Sequence, residues 1–156
     1  MTDPARRPPP VARSAARLGA VQALFQLDLS GQDVGEVLAQ FSARAIGDDF
    51  EGGQCGEADY GFLKQVVDGV VREQQAIDPA LNARLDESWK LSRLDTTVRA
   101  ILRAGVYEIM FMDHVPARVS IAEYVNVAHA FFGKEEPRFI NGVLDAFARE
   151  KRPAEF

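Results

Sequence analysis

From Arg13 to Phe147, apolar side chains recur at three- and four-residue spacing in segment after segment. That spacing lays an apolar stripe along one face of an α-helix, and a chain built of such stripes must pack them against one another. Leu18, Val21, Leu24, Phe25 and Leu29 form the first stripe, and Val34, Val37, Leu38 and Phe41 the second. Leu63, Val66, Val67, Val70 and Val71 form the third; their valines favour strands, but the period outweighs that weak preference. Leu81 and Leu85 give a short fourth segment its apolar face. Val98, Ile101, Leu102, Gly105, Ile109 and Met112 make the fifth stripe, Ile121, Tyr124, Val125, Ala128 and Phe132 the sixth, and Ile140, Val143, Leu144 and Phe147 the last. The expected fold class is all-α, with about seven helices in a bundle.

Local signals place the breaks. Pro8, Pro9 and Pro10 predict that residues 1–12 are a flexible basic and proline-rich tail without helix, followed by one domain over 13–156. Gly31 stops the first helix, and the second spans Val34 to Arg44. Four glycines and several acids make 46–57 a loop, after which the third helix spans Ala58 to Gln75. Asp78-Pro79 predicts a cap and first residue for the fourth helix, and Trp89 and Leu91 are expected to plug the connection that follows. Asp95 caps the fifth helix, in which mid-helix Gly105 predicts close approach of a neighbour. Ser120 to Glu123 has capping-box spacing and is expected to open the sixth helix; Gly133 ends it, and Pro137 opens the last.

Composition excludes several classes. Hydrophobic residues are 47% and charged residues 26% of 156, which is ample for a packed core without metal or disulfide. The single cysteine, Cys55, sits in the glycine-rich loop without a second cysteine or nearby histidine, and reads as a bystander. No secretory signal and no run of about 18 apolar residues is present, so the expected location is the cytoplasm, with no membrane partner.

No catalytic set assembles. His114 and His129 lack metal-ligand spacing and a neighbouring nucleophile. Gly133-Lys134 lacks the upstream glycine of a phosphate loop, since position 128 is alanine. Asp48, Asp49, Glu51, Glu57 and Asp59 lack the spacing of a calcium loop. The expectation is a non-enzyme without metal or cofactor.

The arginines are more informative. The net charge is −5, yet Arg6, Arg7, Arg13 and Arg17 stand against Asp3 alone in the first 18 residues, leaving a +3 end on a −8 body. Arg13 and Arg17 are four apart and share a helix face, where each is either a phosphate contact or part of a solvated surface. Phe25 lies two turns on and either stacks on an unpaired base or packs in the core. A second candidate stretch is Gly133 to Gly142, where Arg138 is exposed by periodicity and Phe139 stands beside Ile140. Helix N-termini suit phosphate, while Glu135 and Glu136 complement the helix dipole.

Four pieces occur in a familiar order over residues 13–150: Arg13-Ser14-Ala15-Ala16-Arg17 running into Ala20 to Phe25, then Ile101 to Glu108, then Val115-Pro116 with Ile121-Ala122-Glu123, and last Arg138 to Asp145. Together they resemble the NusB family of transcription antitermination factors. The resemblance implies an N-terminal three-helix subdomain (13–77) and a C-terminal four-helix subdomain (78–152). It implies binding of single-stranded boxA RNA in ribosomal RNA transcripts, together with NusE, a small-subunit ribosomal protein, and action on RNA polymerase with other Nus factors. By matching positions, the implied RNA contacts are Arg13, Arg17 and Phe25 at one end and Glu135 and Phe139 at the other, with Arg138 a weaker candidate and Arg6 and Arg7 reaching from the tail.

The same resemblance places NusE on the outer face of residues 95–130. It also implies a homodimer as an alternative partner state, because some relatives form dimers that cover the RNA-binding surface. Ser14 and Ala15 dilute the arginine motif and Phe25 replaces a more usual tyrosine, which implies weaker RNA binding by the lone protein and more dependence on NusE. Two alternatives stand beside this reading. One is the RNA-binding helical domain of a ribosomal RNA cytosine methyltransferase, although no glycine-rich cofactor segment or catalytic cysteine motif is present. The other is a protein-interaction module without RNA binding.

Overall fold

The computed structural model describes residues 10–43 and 57–156. Among them are six α-helices and no strand: α1 (Pro10–Ser30), α2 (Val34–Ala43), α3 (Glu57–Asn82), α4 (Thr96–Phe111), α5 (Ala117–Phe131) and α6 (Glu135–Lys151). Three 3-10 turns, at Glu87–Trp89, Leu91–Arg93 and Pro153–Glu155, complete the described chain. Arg6, Arg7, Cys55 and most of the acidic loop lie outside the described residues.

The all-α class expected from the spacing is the class observed. Helix α4 is the centre, packing against α1, α3, α5 and α6. Ten of its 16 residues are buried, which is why its stripe wraps most of the helix instead of one side. Asp95 caps it as expected, its carboxylate accepting from the Thr97 and Val98 amides. Gly105 is where Leu144 of α6 approaches, since a Cβ there would lie 2.8 Å from the leucine Cδ1. Gly69 of α3 performs the same service for α4: a Cβ would fall 2.1 Å from the Tyr107 ring. Gly31 ends α1 with φ +69°, its amide donating back to the Leu27 carbonyl.

Several local expectations are corrected. Helix α1 begins at Pro10 and buries Ala12, because proline at the first helical position needs no amide hydrogen; helix therefore reaches into the expected tail. Helix α3 continues through Pro79 to Asn82, merging the third and fourth expected segments and crossing the division expected near residue 77. Asp78 does not cap. It clasps Arg103 of α4 with both oxygens at 2.9 and 3.0 Å, and with fully buried Ile77 and Leu81 it holds the chain helical across the proline. Helix α5 begins at Ala117, before Ser120; Glu155 from the C-terminal turn accepts the Ala117 amide at 2.9 Å, and Ser120 is buried inside. Leu91 plugs the 3₁₀ connection, but Trp89 is 55% exposed. Leu29 and Val71, read as stripe members, are also exposed, Leu29 lying in the last turn of α1.

Candidate nucleic-acid interface

The two arginines placed on one face of α1 have different surroundings. Arg13 lies near the surface with its guanidinium 4.6 Å from the centre of the Phe62 ring, and its Nε is buried without a hydrogen-bond partner. Arg17 is 3% exposed. Its Nε and Nη2 donate to the two oxygens of Glu108, both at 2.9 Å, and its Nη1 donates to Glu123 at 3.0 Å. The expectation that Arg17 projects to solvent as a phosphate contact is therefore corrected: its fork is closed inside the protein. The physical reason is that Glu108, at 0% exposure on α4, requires a cation.

Glu108 is fully satisfied. Besides Arg17, its oxygens accept from Ser120 Oγ at 2.8 Å and from the Tyr124 hydroxyl. Glu123 accepts from Ser14 Oγ at 2.7 Å as well as from Arg17. Burial opposes the charge on Arg17, but the hydrogen bonds and charge of Glu108, with smaller contributions from Tyr124 and Glu123, outweigh it and raise the guanidinium pKa above its ordinary value. Burial also pushes the Tyr124 hydroxyl well up, reinforced by the Glu108 charge, so Tyr124 stays a hydrogen-bond donor. The cluster bolts the start of α1 to α4 and α5.

Phe25 is half-buried and outside the main core. It lines an open groove of about 560 Å³ with Gln22, Gln26, Leu29, Ser30 and Phe41. At the other end, Glu135 and Arg138 are exposed on the first turns of α6, and half-buried Phe139 rests 5.8 Å from Trp89, centre to centre. Asn141 and Gly142 are exposed, and a Cβ on Gly142 would meet nothing. Ser14 of α1 donates to Glu123 of α5, and eight residues, about 12 Å of helix, separate Glu123 from the end of α5 at Phe131.

His114 and His129 are exposed, and no group of metal-binding side chains occurs among the described residues. Sequence reasoning missed Glu108, Glu123, Phe62 and the exposure of Trp89. Glu108 carried a signal: it follows Gly105 by three on the inward stripe of α4, where an acid must find a buried partner.

A sequence model of the NusB family matches residues 14–149. The chain is similar to the transcription antitermination protein NusB of Rhizobium rhizogenes, 49% identical over 140 residues that cover 90% of this chain and 88% of that one. It is 46% identical to that of Rhodopseudomonas palustris over 144 residues, 92% and 85% of the two chains. Its fold is similar to T. maritima NusB, with a TM-score of 0.78, 24% identity and coverage of 97% and 99%. A chain of the crystal structure of antitermination factors NusB and NusE in complex with double-stranded RNA gives a TM-score of 0.77, 25% identity and coverage of 89% and 97%.

Proposed function

This chain belongs to the NusB family, and from that premise we propose that it is a non-enzymatic transcription antitermination factor that binds boxA RNA of ribosomal RNA transcripts together with NusE. The pair acts on RNA polymerase with other Nus factors. The observation that carries this reading is the family match over residues 14–149, with relatives named as antitermination proteins almost half identical along nine-tenths of the chain.

The residues proposed to meet RNA are Arg13 and Phe25 at one end and Glu135, Arg138 and Phe139 at the other, with Arg6 and Arg7 on the lead-in. Arg17 acts by positioning: its ties to Glu108 and Glu123 orient the first turns of α1, and through them Arg13. NusE is proposed on the outer face of 95–130. Phe111 and Val119 are exposed there, and Phe131 is exposed one residue beyond, which suits a protein interface with an apolar centre. A dimer that covers the RNA surface and a cytoplasmic location belong to the same proposal. No helix among the described residues is long and apolar enough to cross a membrane.

The test is binding of labelled boxA RNA and a scrambled RNA, with and without NusE, across a salt series. Selective binding strengthened by NusE is expected. Arg13→Ala should lower the salt slope by about 0.7, the contribution of one phosphate contact on a single strand. Absence of boxA preference even with NusE would overturn the reading in favour of a protein-interaction module.

A further inference from the structure

Trp89 is the one tryptophan in the chain, and it is 55% exposed. Its ring rests against Phe139, 50 residues later, with centres 5.8 Å apart and planes tilted by 39°. The backbone that presents it is held firmly. The Trp89 amide donates to the Asp86 carbonyl at 2.8 Å, and Lys90 Nζ donates to the carbonyls of Asn82 and Leu85 at 2.9 and 3.0 Å. Leu91 is buried, its amide donating to Asn82 Oδ1 at 2.9 Å. The indole is therefore displayed from a fixed turn, with one part of its surface on Phe139 and much of the rest in water.

The neighbours decide what such a ring can take. Asp86, Glu87, Ser88, Ser92 and Arg93 are all exposed and polar, so the indole rises from a polar stretch of chain and not from a run of exposed apolar residues of the kind protein interfaces use. Arg93, Lys134 and Arg138 are exposed and form no ion pair among the described residues. A single flat aromatic face, held by a fixed turn against a second aromatic ring, matches a nucleobase.

We infer that Trp89 is a base-stacking residue that extends the RNA path beyond Phe139. This inference rests on the RNA-binding reading above. The two rings already touch, and inserting a base between them would require centres roughly 7 Å apart, twice a normal carbon–carbon contact. The base therefore stacks on the solvent face of Trp89, continuing the order Phe139, Trp89, base. The acids and bases of 86–93 and 134–139 balance in number, so the contact is one of stacking and not of charge.

A lone tryptophan reports on itself. Titrating boxA RNA into the full chain should quench its fluorescence to saturation at the affinity measured independently with labelled RNA. Trp89→Ala should weaken binding roughly five- to 150-fold, the range spanned by stacking on one base, while the salt slope stays unchanged. Trp89→Phe should recover much of the loss, and circular dichroism should show both variants folded. If the wild-type chain binds boxA while Trp89→Ala binds equally well and RNA leaves the fluorescence unaltered, this inference falls and the RNA-binding reading stands. Loss of NusE affinity in Trp89→Ala with full RNA affinity would reassign the ring to the protein partner. Failure of the wild-type chain to bind boxA with NusE present would remove both.

Discussion

Replacing Arg17 by alanine tests the central claim about the arginine motif. The substitution removes two hydrogen bonds to Glu108 and one to Glu123, and leaves the Glu108 carboxylate at 0% exposure with only the Ser120 and Tyr124 hydroxyls. It also removes guanidinium contacts 4.8 and 5.9 Å from the Phe62 and Tyr124 ring centres. Breaking a buried pair by removing one partner costs about 3–5 kcal/mol, because the remaining charge is stranded away from water. Against a total stability of roughly 5–15 kcal/mol this is a large fraction. With a urea slope near 2 kcal/mol per molar, a mid-range value for small proteins, the unfolding midpoint should fall by roughly 1.5–2.5 M. Arg17→Lys should recover part of the loss, since an ammonium restores charge but not the two-pronged bond. Combining Arg17→Ala with Glu108→Ala should cost less than the two single losses added together, since the stranded charge is gone. Under conditions where the variant stays folded, its salt slope for RNA should match that of the wild type, in contrast to Arg13→Ala. A stability loss under about 1 kcal/mol combined with a slope reduced by about 0.7 would refute the reasoning, placing the Arg17 guanidinium on the RNA and not in the core.

Three further outcomes follow from the packing. Gly142→Ala should stabilise by up to about 1 kcal/mol and raise the melting temperature by roughly 2–4 °C, because the new methyl group meets nothing and alanine favours helix; calorimetry checks this. Gly69→Ala should destabilise by at least about 1–3 kcal/mol, since its methyl group would overlap the ring of Tyr107, itself 3% exposed, and urea unfolding measures the loss. The Ala117 amide, with Arg152 adding to it and burial opposing, holds the Glu155 carboxyl below its ordinary value. A carboxyl depressed in the folded state contributes stability above its unfolded pKa and loses it as pH falls through the folded one. Glu155→Gln should therefore flatten the acid limb of the stability profile below about pH 4.5, leaving its shape near neutrality unchanged.

What the sequence determined by itself was chiefly what neighbours a few residues apart govern. The helical period of the stripes set the all-α class and most core positions. Asp95 marked a helix start through amides two and three residues ahead, Gly31 marked a helix end through a carbonyl four residues behind, and Gly105 announced a crowded crossing. The motif order from Arg13 to Asp145 identified the family. Tertiary structure alone decided which polar side chains face water. Arg17 and Arg13 are one helical turn apart and indistinguishable by local rules, yet Glu108, 91 positions later, draws one of them inside. Asp78 and Ser120 have capping chemistry, but Arg103 and Glu108 offer them stronger partners, and α3 and α5 take different bounds in consequence. Trp89, apolar enough to be assigned to the core, stays at the surface beside Phe139. Helix periodicity specifies which side of a helix is apolar, whereas a charge or an aromatic ring takes its role from whatever the folded chain brings opposite it.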